Sequence, residues 1–186
     1  MKSSFSRTAK ISGTAILAAL VVLFDYTLKF SGLKIPFPWM PMLKFDFTGA
    51  PIALSLFLYS FLSAFVTSLV AFIAIIVRSG DPIGASMKFI AEFSTVLGLA
   101  IGSGLSVIVG FRGNFQRSLS YFFGIIFRVV FMSLMNILIL PNFYGVPFNI
   151  TLGMLPMIGI FNVFQGSITI LMGYFLFEAY TQRLKK

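Results

Sequence analysis

Residues 78–104, RSGDPIGASMKFIAEFSTVLGLAIGSG, run from a polar turn into an apolar segment that carries two charged side chains. Lys88 and Glu92 are four residues apart, so on a helix they lie on the same face. In a bilayer, an ionisable side chain marks a functional site by default, and its partners lie on neighbouring helices. The order Lys then Glu is the weaker one for a pair within one helix. The sequence therefore directs the search for partners to other segments.

The composition of the chain places this segment in a membrane. Of its 186 residues, 58% are hydrophobic and 10% are charged, and the mean hydropathy is +0.98. A soluble domain carries about a quarter charged residues. We therefore predict an all-α integral membrane protein that forms a single membrane domain over residues 1–186.

Several function classes are disfavoured by the residue types that the sequence lacks. It has no cysteine and no histidine, and its five carboxylates are scattered. Disulfides, the usual metal ligands and the commonest general base are therefore missing, and we predict no enzyme, no metal site and no cofactor. The formal charge of +9 comes from Lys and Arg at predicted helix ends, where they orient spans and contact membrane lipid. Nucleic-acid binding is not expected, because no basic stripe lies on a soluble face.

Apolar runs and turn residues divide the chain into six predicted transmembrane helices packed in one bundle. Their approximate bounds are 11–28, 49–60, 62–77, 83–109, 119–140 and 152–180. The apolar stretch 48–77 exceeds the roughly 20 residues that one span needs, so we divide it near Tyr59 and Ser60. A single long, tilted helix is the alternative. Asp81 suits the N-cap of the fourth helix, and Pro82 suits its first turn.

An even number of spans places both termini on the same side of the membrane. The basic residues of that side are Lys2, Arg7, Lys10, Arg112, Arg117, Arg183, Lys185 and Lys186, and those of the opposite loops are Lys29, Lys34, Lys44 and Arg78. Because cytoplasmic segments carry the excess of Lys and Arg, we predict that both termini are cytoplasmic.

The first predicted loop, residues 29–47 (KFSGLKIPFPWMPMLKFDF), breaks the helical pattern. Pro36, Pro38 and Pro41 exclude a continuous helix, and the final MLKFDF alternates as a short strand does. A loop of this length is more often functional than a bare connector. We interpret it as an extracellular lid. The alternative is an interfacial anchor built on Trp39 and the neighbouring Phe residues.

Polar side chains recur in the outer half of three predicted helices. They are Lys88, Glu92, Arg128, Asn136, Asn162 and Gln165. Because most of the inner half is apolar, this pattern predicts a pocket that opens outward and is closed below. Side-chain amides offer paired donors and acceptors that suit a planar heterocycle, and Phe rings would stack on it. The alternative is structural: Glu92 pairs with Arg128 or Lys88, and the amides join helices.

Four motifs resemble the substrate-binding S component of an energy-coupling factor (ECF) vitamin transporter, above all its riboflavin-specific members. They are AxxxA with Ala15 and Ala19, LKFDFTGAP at 43–51, GDPIGA at 80–85, and Asn136 followed by FNVFQG at 161–166. The resemblance covers essentially the whole chain. It implies six helices with both termini inside, in the plasma membrane of a prokaryotic cell.

The resemblance implies capture of a small-molecule vitamin, riboflavin, as the transported ligand. The chain would dock through Ala15 and Ala19 onto a transmembrane coupling protein driven by two ATPase subunits. The implied substrate-binding residues, with the polar set above, are Leu43, Lys44, Phe45, Asp46, Lys88, Glu92, Asn136, Asn162 and Gln165. The sequence contains no Walker A motif, so the chain does not itself drive transport with ATP.

The chain departs from the riboflavin-type pattern at two positions. Gln165 stands where that pattern has Lys, and Lys88 stands where the fourth helix usually has Asn. Either a cation has moved between helices, or the substrate differs. An anionic vitamin or precursor is then the first alternative, since Lys88, Arg128 and Glu92 together are net positive. A membrane assembly protein that packs through its Gly and Ala faces is the second alternative.

Overall fold

The computed structural model describes residues 5–183. Within that range the chain forms six α-helices and one antiparallel hairpin. They are α1 Arg7–Phe30, β1 Ile35–Phe37, β2 Met40–Phe45, α2 Gly49–Leu58, α3 Phe61–Ser79, α4 Pro82–Ile108, α5 Asn114–Tyr144 and α6 Phe148–Arg183. Lys2, Lys185 and Lys186, which contribute to the predicted charge asymmetry, lie outside the described residues.

Among the described residues, five helices are long and apolar enough to cross a membrane: α1, α3, α4, α5 and α6. The sequence predicted six spans, and α2 is the difference. It has 10 residues, which amounts to about 15 Å at 1.5 Å per residue. That length is about half of the hydrocarbon core of a bilayer.

The break between α2 and α3 is made by local hydrogen bonds. The Tyr59 amide closes α2 by donating to the Ser55 carbonyl. Ser60 is extended, and its hydroxyl accepts a hydrogen bond from the Ser63 amide at the start of α3. A cap of this kind satisfies an amide that has no partner within its helix. The apolar stretch 48–77 therefore folds as two helices.

The N-terminus of α4 follows the predicted capping pattern, whereas α5 is longer than predicted. Asp81 accepts a hydrogen bond from the Gly84 amide, and Pro82 lies in the first turn of α4. The sequence placed Pro141 in a loop, but α5 continues through it to Tyr144. A proline this close to the helix end removes only one hydrogen bond. Gly145 then ends the helix with φ 65°.

Short α2 forms the buried centre of the bundle. Its residues 49–55 are all buried, and it packs against α6, α3, α1 and α4. Close helix approach also occurs between α4 and α5, where a Cβ added to Gly98 would lie 2.3 Å from the Phe123 carbonyl oxygen. Small residues permit such contacts, and here the contact lies inside the bundle.

The predicted lid folds as a hairpin anchored by aromatic side chains. The strands β1 and β2 pair antiparallel, with Ile35 opposite Phe45. The sequence suggested only the second strand. Phe37 is 1% exposed, and its ring centroid lies 5.6 Å from that of Phe161 on α6 and 5.1 Å from that of Trp39. The contact of Phe37 with Phe161 fastens the hairpin to α6.

Candidate functional site

A cavity of about 200 Å³ lies beneath the hairpin, between α4, α5 and α6. It is lined by Met42, Leu43, Lys44 and Asp46 from the hairpin and its exit, Met87, Lys88 and Ala91 from α4, Arg128, Met132 and Asn136 from α5, and Ile158, Phe161, Asn162 and Gln165 from α6. Four segments that are distant in sequence thus supply polar groups to one space.

Two of the candidate residues from the sequence do not line this cavity. The Phe45 ring packs on Phe161 instead, with their centroids 5.1 Å apart. Glu92 is 1% exposed and lies behind the cavity wall, where it contacts Lys88 and Arg128. The other candidates line the cavity: Leu43, Lys44, Asp46, Lys88, Asn136, Asn162 and Gln165.

The charged side chains around the cavity form a row of alternating sign. In order of contact, the row is Arg78, Asp25, Lys34, Asp46, Lys88, Glu92 and Arg128. Nitrogen–oxygen distances between successive members range from 2.6 to 3.8 Å. Buried charges are tolerated where they are paired, and this row pairs each charge with one of opposite sign.

Lys88 occupies the middle of this row. Its Nζ lies 2.7 and 2.9 Å from the two Asp46 carboxylate oxygens. The same atom lies 3.0 Å from Glu92 Oε1. The pair of Lys88 and Glu92 is therefore not self-contained, because the lysine also binds the exit of the hairpin.

Arg128 forms the floor of the cavity and is 2% exposed. Its Nη2 donates to Glu92 Oε1 at 3.3 Å, and its Nε donates to Asn162 Oδ1 at 3.2 Å. Its Nη1 donates to the Thr95 hydroxyl at 3.0 Å and to the Ala91 carbonyl at 3.3 Å. A guanidinium held on all its edges is fixed in place.

Asp25 was missed by the sequence analysis, although it is the one acidic residue in the first predicted span. It is 2% exposed. It accepts hydrogen bonds from Lys34 Nζ at 3.0 Å and from Arg78 Nε at 2.6 Å. Lys34 Nζ also lies 3.8 Å from Asp46 Oδ2. Through Lys34, the end of α1 supports the hairpin exit.

Asp46 remains ionised in this setting. Burial by itself would raise its pKa, but the charges of Lys88 and Lys34 and hydrogen bonds from Lys88 and Thr48 outweigh that effect and lower the pKa to about 2. Nearby opposite charge and hydrogen bonding both favour the charged form of a carboxyl. The contact between the hairpin exit and α4 therefore persists throughout the physiological pH range.

Gln165 fastens the hairpin exit to α6. Its Nε2 donates to the Asp46 carbonyl at 2.8 Å, and its Oε1 accepts from the Asp46 amide at 3.2 Å. A side-chain amide can both donate and accept in this way, whereas a lysine at this position would have donors alone. Gln165 lines the cavity, but its amide is engaged by the backbone of Asp46.

The two asparagines differ in what they leave available. Asn136 Nδ2 donates to the Met132 carbonyl at 2.7 Å, and Asn136 Oδ1 accepts no hydrogen bond from any described residue. Asn162 Nδ2 donates to the Ile158 carbonyl at 2.9 Å, and its Oδ1 is held by Arg128. An acceptor is thus available to a ligand at Asn136.

The Glu92 side chain lies close to the backbone at the start of α2. A Cβ added to Gly49 would lie 2.4 Å from both Glu92 Oε2 and Thr169 Oγ1. Neither atom has a hydrogen-bond partner among the described residues. The partial positive charge at a helix N-terminus favours a carboxylate, which accounts for the position of Glu92 Oε2.

Ala15 and Ala19 lie on an exposed face of α1, whereas Ala18 is buried. Ile11 and Ile16 on the same helix are 63% and 67% exposed. The face of α1 that contains Ala15 and Ala19 is therefore not used for packing within the described chain.

Comparison with known proteins yields a similar fold and no sequence family. No family model matches the chain, and no curated protein matches it. A solved structure reported under the description "Structure and mechanism of the S component of a bacterial ECF transporter" is similar, with a TM-score of 0.79 and 21% identity. The alignment covers 97% of this chain and 100% of that one. The chain therefore has the fold of an ECF transporter S component.

We predict that Gln165→Leu loosens the hairpin. Loss of the two hydrogen bonds to Asp46 should cost about 1–2 kcal/mol, which corresponds to about a five- to thirty-fold change in an opening equilibrium. Amide hydrogen exchange at Asp46 should accelerate by that factor. Gln116→Leu is the matched control, because Gln116 bonds Ser103 in another part of the bundle. Equal exchange rates in the two variants would contradict the role of Gln165.

We also predict how the hairpin responds to pH. The folded pKa of Asp46 lies below the ordinary 3.8, so its contribution is complete above pH 3.8 and is lost as the pH falls towards 2. Trp39, the single Trp of the chain, reports on the hairpin by fluorescence. Its emission should stay constant from pH 8 to about 5 and change below about 4. Asp46→Asn should abolish that transition, and a transition near neutral pH would contradict the assignment.

Proposed function

We propose that this chain is the substrate-binding S component of an ECF-type importer. It binds a vitamin outside the cell and performs no catalysis of its own. The observation that carries the proposal is a polar cavity under a fastened hairpin, within a fold shared with an ECF S component over 97% of the chain. The protein is then a multi-pass protein of the prokaryotic plasma membrane, with both termini in the cytoplasm and the hairpin outside.

Riboflavin is the proposed ligand. Asn136 supplies its free Oδ1 as an acceptor to the polar edge of a planar heterocycle. Asn162 lines the same edge with its amide held by Ile158 and Arg128, and Phe161 contributes an aromatic wall. Pockets for ligands of this size measure about 300–1,000 Å³, whereas the cavity measures about 200 Å³. Riboflavin binding therefore requires the hairpin to move outward, which breaks the contacts of Gln165 and Lys88 with Asp46.

An anionic vitamin is the second candidate, and the charges of the lining favour it. The lining contains Lys44, Lys88 and Arg128 against Asp46, and Glu92 lies behind the wall against Lys88 and Arg128, which leaves an excess of one positive charge. A ligand carboxylate would bind Lys88 in place of Asp46 once the hairpin has moved.

Calorimetric titration of the purified protein with riboflavin and with biotin separates the candidates. Binding of biotin without riboflavin would reject riboflavin, and a bound small molecule of either kind argues against a pure assembly role.

The proposed partners are a transmembrane coupling protein and two ATPase subunits. Docking would use the exposed face of α1 that contains Ala15 and Ala19, because small residues permit close helix contact. The ATPases supply the energy, since this sequence has no Walker A motif.

We predict that Asn136→Leu weakens riboflavin binding by about 1–3 kcal/mol, the cost of leaving a buried polar group of the ligand unpaired. Calorimetry measures the change. The matched control is Asn142→Leu, because Asn142 makes the same type of bond, to the Leu138 carbonyl, but is exposed near the end of α5. If Asn136→Leu binds riboflavin with unchanged affinity, Asn136 has a purely structural role.

We predict that Ala15→Leu and Ala19→Leu leave riboflavin affinity unchanged but abolish ATP-dependent uptake, because a bulky side chain prevents close helix contact. Uptake into vesicles that contain the whole importer is the measurement. Ala179→Leu is the control, since Ala179 is an exposed alanine on α6. If binding and uptake fall together, the two alanines act in folding or ligand binding and the docking role is wrong.

A further inference from the structure

A second cavity, of about 450 Å³, lies between α2, α4, α5 and α6, at the α4–α5 turn. It is lined by Leu56, Phe57, Leu99, Ala100, Ser103, Gly113, Gln116, Arg117, Ser120, Tyr174 and Phe177. No residue of this set lines the outer cavity. The two cavities are thus separate spaces, and nothing in the proposed transport role accounts for the larger one.

Arg117 gives this cavity an unused binding edge. Its Nη1 donates to Glu178 Oε1. Its Nε and Nη2 donate no hydrogen bond to any described residue. The two free donors form the planar fork that binds a phosphate through two hydrogen bonds. About half of the Arg117 side chain is exposed (48%), so a ligand can approach this edge.

Further polar groups face the same space. The Gln116 amide donates one hydrogen bond, to Ser103 Oγ at 3.2 Å, and keeps a second N–H free among the described contacts. The Ser103 hydroxyl donates to no described acceptor. Together with Arg117, these groups present several donors to one acceptor-rich ligand, which is the pattern that a phosphate group requires.

Part of the lining is an aromatic wall formed by Phe57, Tyr174 and Phe177. Phe57 and Tyr174 stack with their ring centroids 4.3 Å apart, and Phe177 lies edge-on to Phe57 at 6.1 Å. A free phosphate or a soluble phosphate ester would gain nothing from these surfaces, whereas an acyl chain would be removed from water along them.

We propose that this cavity binds an anionic phospholipid of the inner leaflet, with its phosphate on Arg117 and the start of an acyl chain along the aromatic wall. Basic pockets between transmembrane helices on the cytoplasmic side bind anionic lipid headgroups. The proposal rests on the proposed function for one point, the orientation of the chain in the membrane. In that orientation the α4–α5 turn, which contains Arg112, lies on the cytoplasmic side.

The test is native mass spectrometry of the full chain from nanodiscs that contain phosphatidylglycerol and phosphatidylcholine in equal amounts. We expect phosphatidylglycerol to be retained preferentially. Arg117→Gln should reduce that preference about tenfold, which corresponds to about 1.4 kcal/mol. The matched control is Arg112→Gln, which removes a cation of the same turn that does not line the cavity, and it should change the preference less than twofold.

A second variant guards against a folding defect caused by the loss of the contact between Arg117 and Glu178. Ser103→Leu keeps every charge and places a bulky apolar side chain in the cavity, and it should reduce the preference to a similar extent. Equal losses in Arg117→Gln and Arg112→Gln would show general attraction to the headgroup region and overturn the proposal. Retention of glycerol phosphate in detergent to the same extent as phosphatidylglycerol would overturn the lipid assignment. Riboflavin titration of each sample keeps failure of the vitamin site distinguishable from failure of the lipid site.

Discussion

The arrangement around the cavity under the hairpin depends on Lys88, which lies between the carboxylates of Asp46 and Glu92. A buried carboxylate without a partner is strongly destabilising, and here one ammonium group serves both. Because Asp46 belongs to the exit of the hairpin and Glu92 to the interior of α4, the same contact fixes the roof of the cavity relative to its wall. Asp25 with Lys34 on the outer side, and Arg128 on the inner side, continue the alternation of charge.

The two departures from the riboflavin-type pattern have a common physical explanation in this chain. A cation on α4 can reach the Asp46 side chain, as Lys88 does. An amide on α6 can pair with both the amide and the carbonyl of Asp46, as Gln165 does. If the two residue types were exchanged, a lysine at position 165 could still donate to the Asp46 carbonyl. The Asp46 amide would then have no acceptor at that position. Lys88 and Gln165 therefore hold one residue of the hairpin exit from two helices.

Short α2 contributes to the surroundings of both cavities. Its first residues are buried where Gly49 meets Glu92 and Thr169, behind the outer cavity. Leu56 and Phe57, in its last turn, line the cavity at the α4–α5 turn. Helix α2 is about half as long as the hydrocarbon core is thick. Its start packs densely against Glu92 of the charged row, and the second cavity lies at its other end. The cavity under the hairpin is the smaller of the two, and the cavity at the α4–α5 turn is larger and is lined by Arg117.

The amino-acid sequence by itself determined the membrane class, the position of the apolar helices, the irregular lid segment and the residues that lie at the depth of the cavity, because these follow from local composition and from distance along a helix. Only the tertiary structure decided which polar atoms pair, since pairing depends on how each helix is rotated and tilted against its neighbours. Asp25, Lys34 and Arg78 meet only when α1, the hairpin and α3 pack together. The engagement of Gln165 by the backbone of Asp46 joins residues 119 positions apart, and no local pattern in the sequence encodes that contact.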